Sequence, residues 1–139
     1  MSTANVEIVR RVFEAIVRGG IAEVEDYFSE DAEWHTDPGV PEPGVIEGKA
    51  AVLAYVQGWS DALGDQFEVG VQDFVPISDD EVFGQVRFRW RPLGEGAAQA
   101  DFDWCFIDTI RDGEIVRLRS FLDVARGRAA AGLDLPSPT

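Results

Sequence analysis

Apolar residues recur through residues 5–18 at Val6, Val9, Val12, Phe13, Ile16 and Val17, the spacing of one helical face. Thr3 or Asn5 can cap this helix, and Gly19-Gly20 ends it. A short second helix turns Ile21, Val24, Tyr27 and Phe28 inward. Ser29-Glu30-Asp31 breaks it, and residues 32–36 read as a short strand. In a third helix, residues 49–63, Val52, Tyr55, Val56, Trp59 and Leu63 share a face. From residue 67 the period changes to two. Phe67, Val69 and Val71 alternate with polar neighbours, and strands follow at 81–91, 98–110 and 115–123. Arg111-Asp112-Gly113 is a tight hairpin turn, because Asp-Gly supplies the positive φ that such turns need. Residues 125–133 add a last helical turn or two before a frayed tail at 134–139. Three helices with one early strand, then a four-strand meander, predict an α+β fold with helices on one face of a mostly antiparallel sheet. The whole chain, 1–139, reads as one domain with its core at about 4–133.

The run Val86-Arg87-Phe88-Arg89-Trp90-Arg91 puts guanidiniums on one side of a strand and apolar side chains on the other. Centring its hairpin near Gly94–Glu95 pairs Arg89 with Asp101 and Arg87 with Asp103. Centring the next near Asp112–Gly113 pairs Cys105 with Ser120, Ile107 with Leu118 and Asp103 with Leu122. One face then carries Arg87, Arg89, Asp103, Leu118, Ser120 and Leu122. The other carries Phe88, Trp104, Phe106 and Phe121. Neither is plainly a solvated face, so a second copy of the chain is expected to cover one of them. One residue of slip would exchange the two.

Composition removes several classes of function. Twelve Lys/Arg against 26 Asp/Glu give a net charge of −14, which repels phosphate backbones and anionic lipid. No nucleic-acid or membrane partner is expected, and no apolar run reaches membrane length. One cysteine, Cys105, and one histidine, His35, leave no disulfide and no thiolate zinc site. Neither a metal nor another cofactor is expected, and the N-terminus lacks a leader pattern, which makes the cytoplasm the expected location. Residues 37–48 hold three prolines and three glycines, the longest irregular segment and a candidate binding loop.

Several segments carry a family resemblance. They are residues 9–16 (Val-Arg-Arg-Val-Phe-Glu-Ala-Ile), residues 27–34 (Tyr-Phe-Ser-Glu-Asp-Ala-Glu-Trp), Gly48-Lys49-Ala50-Ala51-Val52, Trp59, and the stretch from Arg111-Asp112-Gly113 to Asp123. Over about residues 4–133 the chain resembles the SnoaL-like group of the nuclear transport factor 2-like superfamily. The resemblance implies a cone-shaped α+β barrel, a curved sheet around a deep apolar pocket closed by helices. It also implies a homodimer through the outer sheet face, to which Phe88, Trp104 and Phe121 are assigned. The fold hosts isomerases, cyclases, epoxide hydrolases and non-catalytic binders, so it does not choose among them.

The resemblance places Leu118, Ser120 and Leu122 on the pocket side of the last strand, and with them Arg87, Arg89, Asp101 and Asp103. Asp37-Pro38 looks like the general-base position of ketosteroid isomerases, where an apolar pocket would raise the carboxylate's proton affinity. An Asp before Pro is also ordinary turn chemistry. The isomerases' helix-one tyrosine is replaced here by Val12 or Phe13. Arg87, Arg89 and Asp103 resemble part of the Asp-Arg-Asp set of limonene-type epoxide hydrolases, with Ser120 in place of the last carboxylate; the plainer reading is cross-strand ion pairs. Trp34, Tyr55 and Trp59 read as pocket wall or as core. His35 points away from whichever side Trp34 lines. Cys105 beside Asp103 is a poor nucleophile. The expected function is a pocket for a small hydrophobic molecule, with cofactor-free acid–base chemistry of isomerase or cyclase type. The alternatives are a non-catalytic ligand-binding or assembly module and an epoxide hydrolase-like enzyme built on the Arg/Asp cluster.

Overall fold

A computed structural model describes residues 3–18, 20–36, 44–63, 67–90 and 100–133. Helix α1 (Thr3–Arg18) buries Val9, Val12 and Phe13 of the predicted stripe, packs Val6, Ile16 and Val17 partly buried beside them, and also buries Ala15. A 3-10 segment (Ile21–Tyr27) buries Ile21 and Val24 and leads directly into β1 (Phe28–His35). Helix α2 (Lys49–Leu63) turns Val52 and Val56 into the same core. Four strands follow: β3 (Phe67–Pro76), β4 (Glu81–Trp90), β5 (Ala100–Arg111) and β6 (Glu114–Phe121). The strand β2 (Val45–Glu47) precedes α2, and helix α3 (Val124–Ala130) closes the described chain.

The six strands form one curved, unclosed sheet in the order β2-β1-β6-β5-β4-β3. The four-strand meander is as expected. Two features lie beyond the sequence pattern. β1 runs parallel to β6, with Trp34 opposite Leu118, and β2 adds an antiparallel edge to β1, with Ile46 opposite Trp34. The fold is the expected α+β cone. Helices α1 and α2 and the 3-10 segment cover the inner sheet face, while α3 crosses the outer one.

Register decides which side chains meet the helices. β4 and β5 pair through ten consecutive positions, including Arg87 with Asp103 and Arg89 with Asp101, as the hairpin predicts. The turn into β6 is also as predicted, with positive φ at Asp112 and Gly113 and with Arg111 opposite Glu114. Beyond Ile110–Ile115 the pairing jumps to Thr109–Arg117, so Val116 is an extra residue in β6. This bulge moves every later pair by one: Phe106, not Cys105, faces Ser120, and Asp108, not Ile107, faces Leu118.

On β4 and β5 the faces are therefore exchanged relative to the sequence expectation, while Leu118 and Ser120 of β6 stay on the inner face as expected. Val82, Val86, Trp104, Phe106, Ile110 and Leu118 lie with the helices in the main core. Arg87, Arg89, Asp103, Arg117 and Arg119 look outward. Trp104 is thus withdrawn from the expected outer-face dimer surface, and Phe121 packs in a second core beneath α3 with Phe83, Cys105 and Ile107. The side chains of Phe88 and Trp59 lie outside the described set.

Helix α3 is held on that outer face by specific local chemistry. Asp123 caps it, its Oδ1 accepting from the backbone N–H of Ala125 at 2.9 Å and of Arg126 at 3.3 Å. Gly127 lets it approach closely. A Cβ there would stand 2.9 Å from the Cys105 Cβ, so only hydrogen fits.

Candidate functional site

The inner face is aromatic because alternation sends every second residue of β1 and β5 toward the helices. Trp34 from β1 and Trp104 from β5 lie nearly parallel, with centroids 6.0 Å apart and planes 17° apart. Tyr55 of α2 lies against Trp34 at 5.7 Å, and Phe106 against Trp104 at 4.7 Å. Phe13 of α1 completes the group at 6.2 Å from both Trp104 and Phe106. Glycine shapes this wall too. A Cβ on Gly84 would lie 2.3 Å from the Phe106 Cζ, so the ring lies across the bare backbone of β4. It leans toward Phe74, whose ring is 6.2 Å away, and away from β6.

Among the described residues, two buried polar side chains break this apolar surface at the seam of β5 and β6. Ser120 is buried, and its Oγ accepts a hydrogen bond from the indole Nε1–H of Trp104 at 2.8 Å. Asp108 is 1% exposed, and its Oδ1 has no hydrogen-bond partner. Its neighbours on strand and register are Phe106, Ile110, Val82 and Leu118, all buried and apolar. Burial holds its carboxyl well above the ordinary carboxylate range, because an apolar surrounding disfavours the charged form. Because Phe106 faces Ser120 and Asp108 faces Leu118, the two polar residues are diagonal cross-strand neighbours.

Asp108 is absent from the sequence expectations. Its signal is present in the alternation of β5. Once Trp104 and Phe106 are known to point inward, Asp108 is the acidic residue interrupting an otherwise apolar series that ends at Ile110.

The structure places the other candidates as follows. Trp34, Tyr55, Leu118 and Ser120 come together on the inner face. Leu122 is 47% exposed and belongs to neither buried cluster. Arg87, Arg89 and Asp103 are on the outer face, so the expected arginine/aspartate pocket is not formed. Arg87 instead grips Asp103 across the strands, Nε to Oδ1 at 2.9 Å and Nη2 to Oδ2 at 3.3 Å. With 50% of the arginine side chain exposed, this pair contributes about 0.2–1 kcal/mol. It is a structural ion pair. Asp37 lies outside the described residues.

His35 points outward beside Arg119, and its Nε2 is 3.0 Å from Glu33 Oε1. Cys105 is sealed beneath α3. Burial first, and then Asp103, push its thiol up to about 11. A thiol held protonated in this way is not a nucleophile. Among the described side chains, the sheet's inner face carries no lysine or arginine.

Residues 9–118 match the family model of the SnoaL-like domain. An uncharacterised protein of Mycobacterium tuberculosis is 28% identical over 118 residues, covering 85% of this chain and 88% of its own. Among solved structures, Bal32a from a soil-derived mobile gene cassette is similar with a TM-score of 0.73 and 24% identity, over 89% of this chain and 92% of its own. A Jannaschia protein named as a SnoaL-like polyketide cyclase is similar with a TM-score of 0.71 and 20% identity, over 97% and 94%. At these identities the structural matches speak for the fold. The family match covers most of the chain, and with the six-stranded cone just described it establishes that this protein belongs to the SnoaL-like domain family of the nuclear transport factor 2-like superfamily.

Proposed function

We propose that this protein holds a small, hydrophobic, ring-bearing molecule against the inner sheet face and carries out cofactor-free proton transfer on it, as an isomerase or cyclase does. The observation that carries this reading is the aromatic wall of Trp34, Tyr55 and Trp104 with a buried hydroxyl, Ser120, set into it. Aromatic faces supply area and orientation, and a sparse set of polar groups supplies specificity. Asp37 is the proposed base. It takes a proton from carbon next to a carbonyl and returns it at the same or a neighbouring position.

A second reading has support of its own. The rings Phe13, Phe106, Trp104, Trp34 and Tyr55 contact one another in series, which suits a non-catalytic binding or assembly module whose interior is filled by its own side chains.

Acetonaphthone, a naphthyl methyl ketone, separates the two. It should quench tryptophan fluorescence saturably, and Tyr55→Ala should weaken that binding. Bound in heavy water, its methyl protons should exchange faster than in buffer, as followed by NMR. Asp37→Asn should slow that exchange about 100-fold or more, the usual worth of a positioned base. Saturable binding with exchange no faster than buffer leaves the non-catalytic module. Absence of saturable binding removes the pocket altogether.

A further inference from the structure

One row across four strands runs Phe74, Gly84, Phe106 and Ser120. Phe106 thus has a small residue on either side, and its ring lies on the glycine side. A Cβ on Gly84 would meet the ring at Cζ, Cε2 and Cε1, at 2.3, 2.5 and 2.9 Å. The phenyl therefore fills the volume that a side chain at 84 would take. Backbone conformation does not call for this glycine, because it lies within β4 and is not one of the positive-φ glycines. A glycine inside a strand weakens it and marks a close approach, which here is the ring. The other directions open to Phe106 are closed. Phe13 of α1 packs against it with centroids 6.2 Å apart, Phe74 lies beyond Gly84 at 6.2 Å, and Trp104 is 4.7 Å away along the strand. A ring expelled from the notch has the β6 side left to it. There Ser120 accepts the indole N–H of Trp104, and Trp34 stands opposite Leu118. In a close-packed interior the expelled ring would take one phenyl's room from that side and press on the indole.

We propose that Gly84 determines the size of ligand the protein accepts: by lodging Phe106 against β4 it keeps one ring's room free on the β6 side of the inner face, and so favours a fused-ring ligand of two rings over its one-ring analogue. This rests on the pocket reading above and names the substrate class for it. Gly84 touches no ligand. It is a positioning residue that acts through Phe106, and through Phe106 on the indole of Trp104. The room kept free is that of the phenyl itself, which is why the discrimination falls between one ring and two.

Fluorescence titration of the full-length protein with acetonaphthone and with acetophenone, its one-ring analogue, tests this. The parent should bind the two-ring ketone about ten-fold tighter or more. Gly84→Ala should remove that preference, weakening acetonaphthone by about ten-fold while leaving acetophenone within about two-fold. A strand merely loosened by the substitution would weaken both ketones alike. Gly84→Ala/Phe106→Leu should regain the parent's preference, because the shorter side chain clears the new methyl, whereas two independent core lesions would add. Phe106→Leu alone should keep the ratio of the two affinities, since the ring is already out of the ligand's way. Equal binding of the two ketones by the parent overturns the size filter while the pocket stands. So does an unchanged preference in Gly84→Ala, or a double variant that fails to regain it. A preference altered several-fold in Phe106→Leu also overturns it, by making the ring part of the ligand's own surroundings. If Gly84→Ala does not fold, the double variant must fold and prefer the two-ring ketone as the parent does, and a loss there overturns the filter. If the parent binds neither ketone, the pocket reading fails and the filter with it.

Discussion

At the scale of single residues, Asp108 is the group whose environment and chemistry disagree most. Its folded proton affinity is raised by burial, so the native state binds its proton more tightly than the unfolded chain does. The associated stability is fully present below the ordinary carboxylate range and falls as pH rises through the folded value. Its strand and register neighbours, Phe106, Ile110, Val82 and Leu118, are all apolar and offer no charge to offset this loss. Asp108→Leu should therefore flatten the stability profile above the carboxylate range and raise stability at neutral pH by about 1–3 kcal/mol, the cost of an unpaired buried polar group. Urea unfolding at several pH values measures both. A variant with the same pH profile as the parent would show that Asp108 does not titrate across folding. The Arg87–Asp103 pair presents the opposite case. It is conspicuous in the sequence and well formed, yet solvent holds its contribution to that of an ordinary surface bridge.

At the scale of elements, α3 is seven residues long, too short to be stable by itself. It exists because Asp123 caps its first turn and Gly127 lets its backbone rest on Cys105. In return it seals Phe83, Cys105, Ile107 and Phe121 from water. Asp123→Ala should cost about 1 kcal/mol, the usual worth of an N-cap. It should also open the helix often enough to speed thiol labelling of Cys105 by about five-fold or more, because labelling requires both exposure and a thiol released from its value of about 11. Labelling at the parent rate would mean that the thiol is reached without α3 lifting. The boundaries of α2 and the pairing of β4 with β5 are legible from local pattern alone, since helical spacing and a short hairpin are local physics. β2 is not. Its three residues sit in a stretch rich in glycine and proline and become a strand only because β1 offers an edge.

At the scale of the whole molecule, the outer face is where a second copy is expected, and α3 already covers its β5–β6 portion. A dimer on that face has the strip bearing Arg87, Asp103 and Arg117 left to use. Such an interface is charged, so it should dissociate in roughly molar salt, where screening lengths fall to a few ångströms, and in Arg87→Glu. Light scattering at both ionic strengths checks this. A monomer throughout, or a dimer indifferent to salt and to Arg87→Glu, would remove the outer face as the interface.

By itself the sequence determined the α+β class, the helical stripes of α1 and α2, the meander, the Asp112–Gly113 turn and the ion pair of Arg87 with Asp103, all consequences of spacing and local backbone preference. Tertiary structure decided which sheet face meets the helices. One extra residue, Val116, shifts β6 against β5, and because strand side chains alternate with a period of two, that shift turned Trp104 and Phe106 inward and Arg87 and Asp103 outward. The parallel pairing of β1 with β6 likewise rests on contacts far apart in the chain. The composition of the candidate site follows from the bulge and from this long-range pairing, and so does the burial of Asp108.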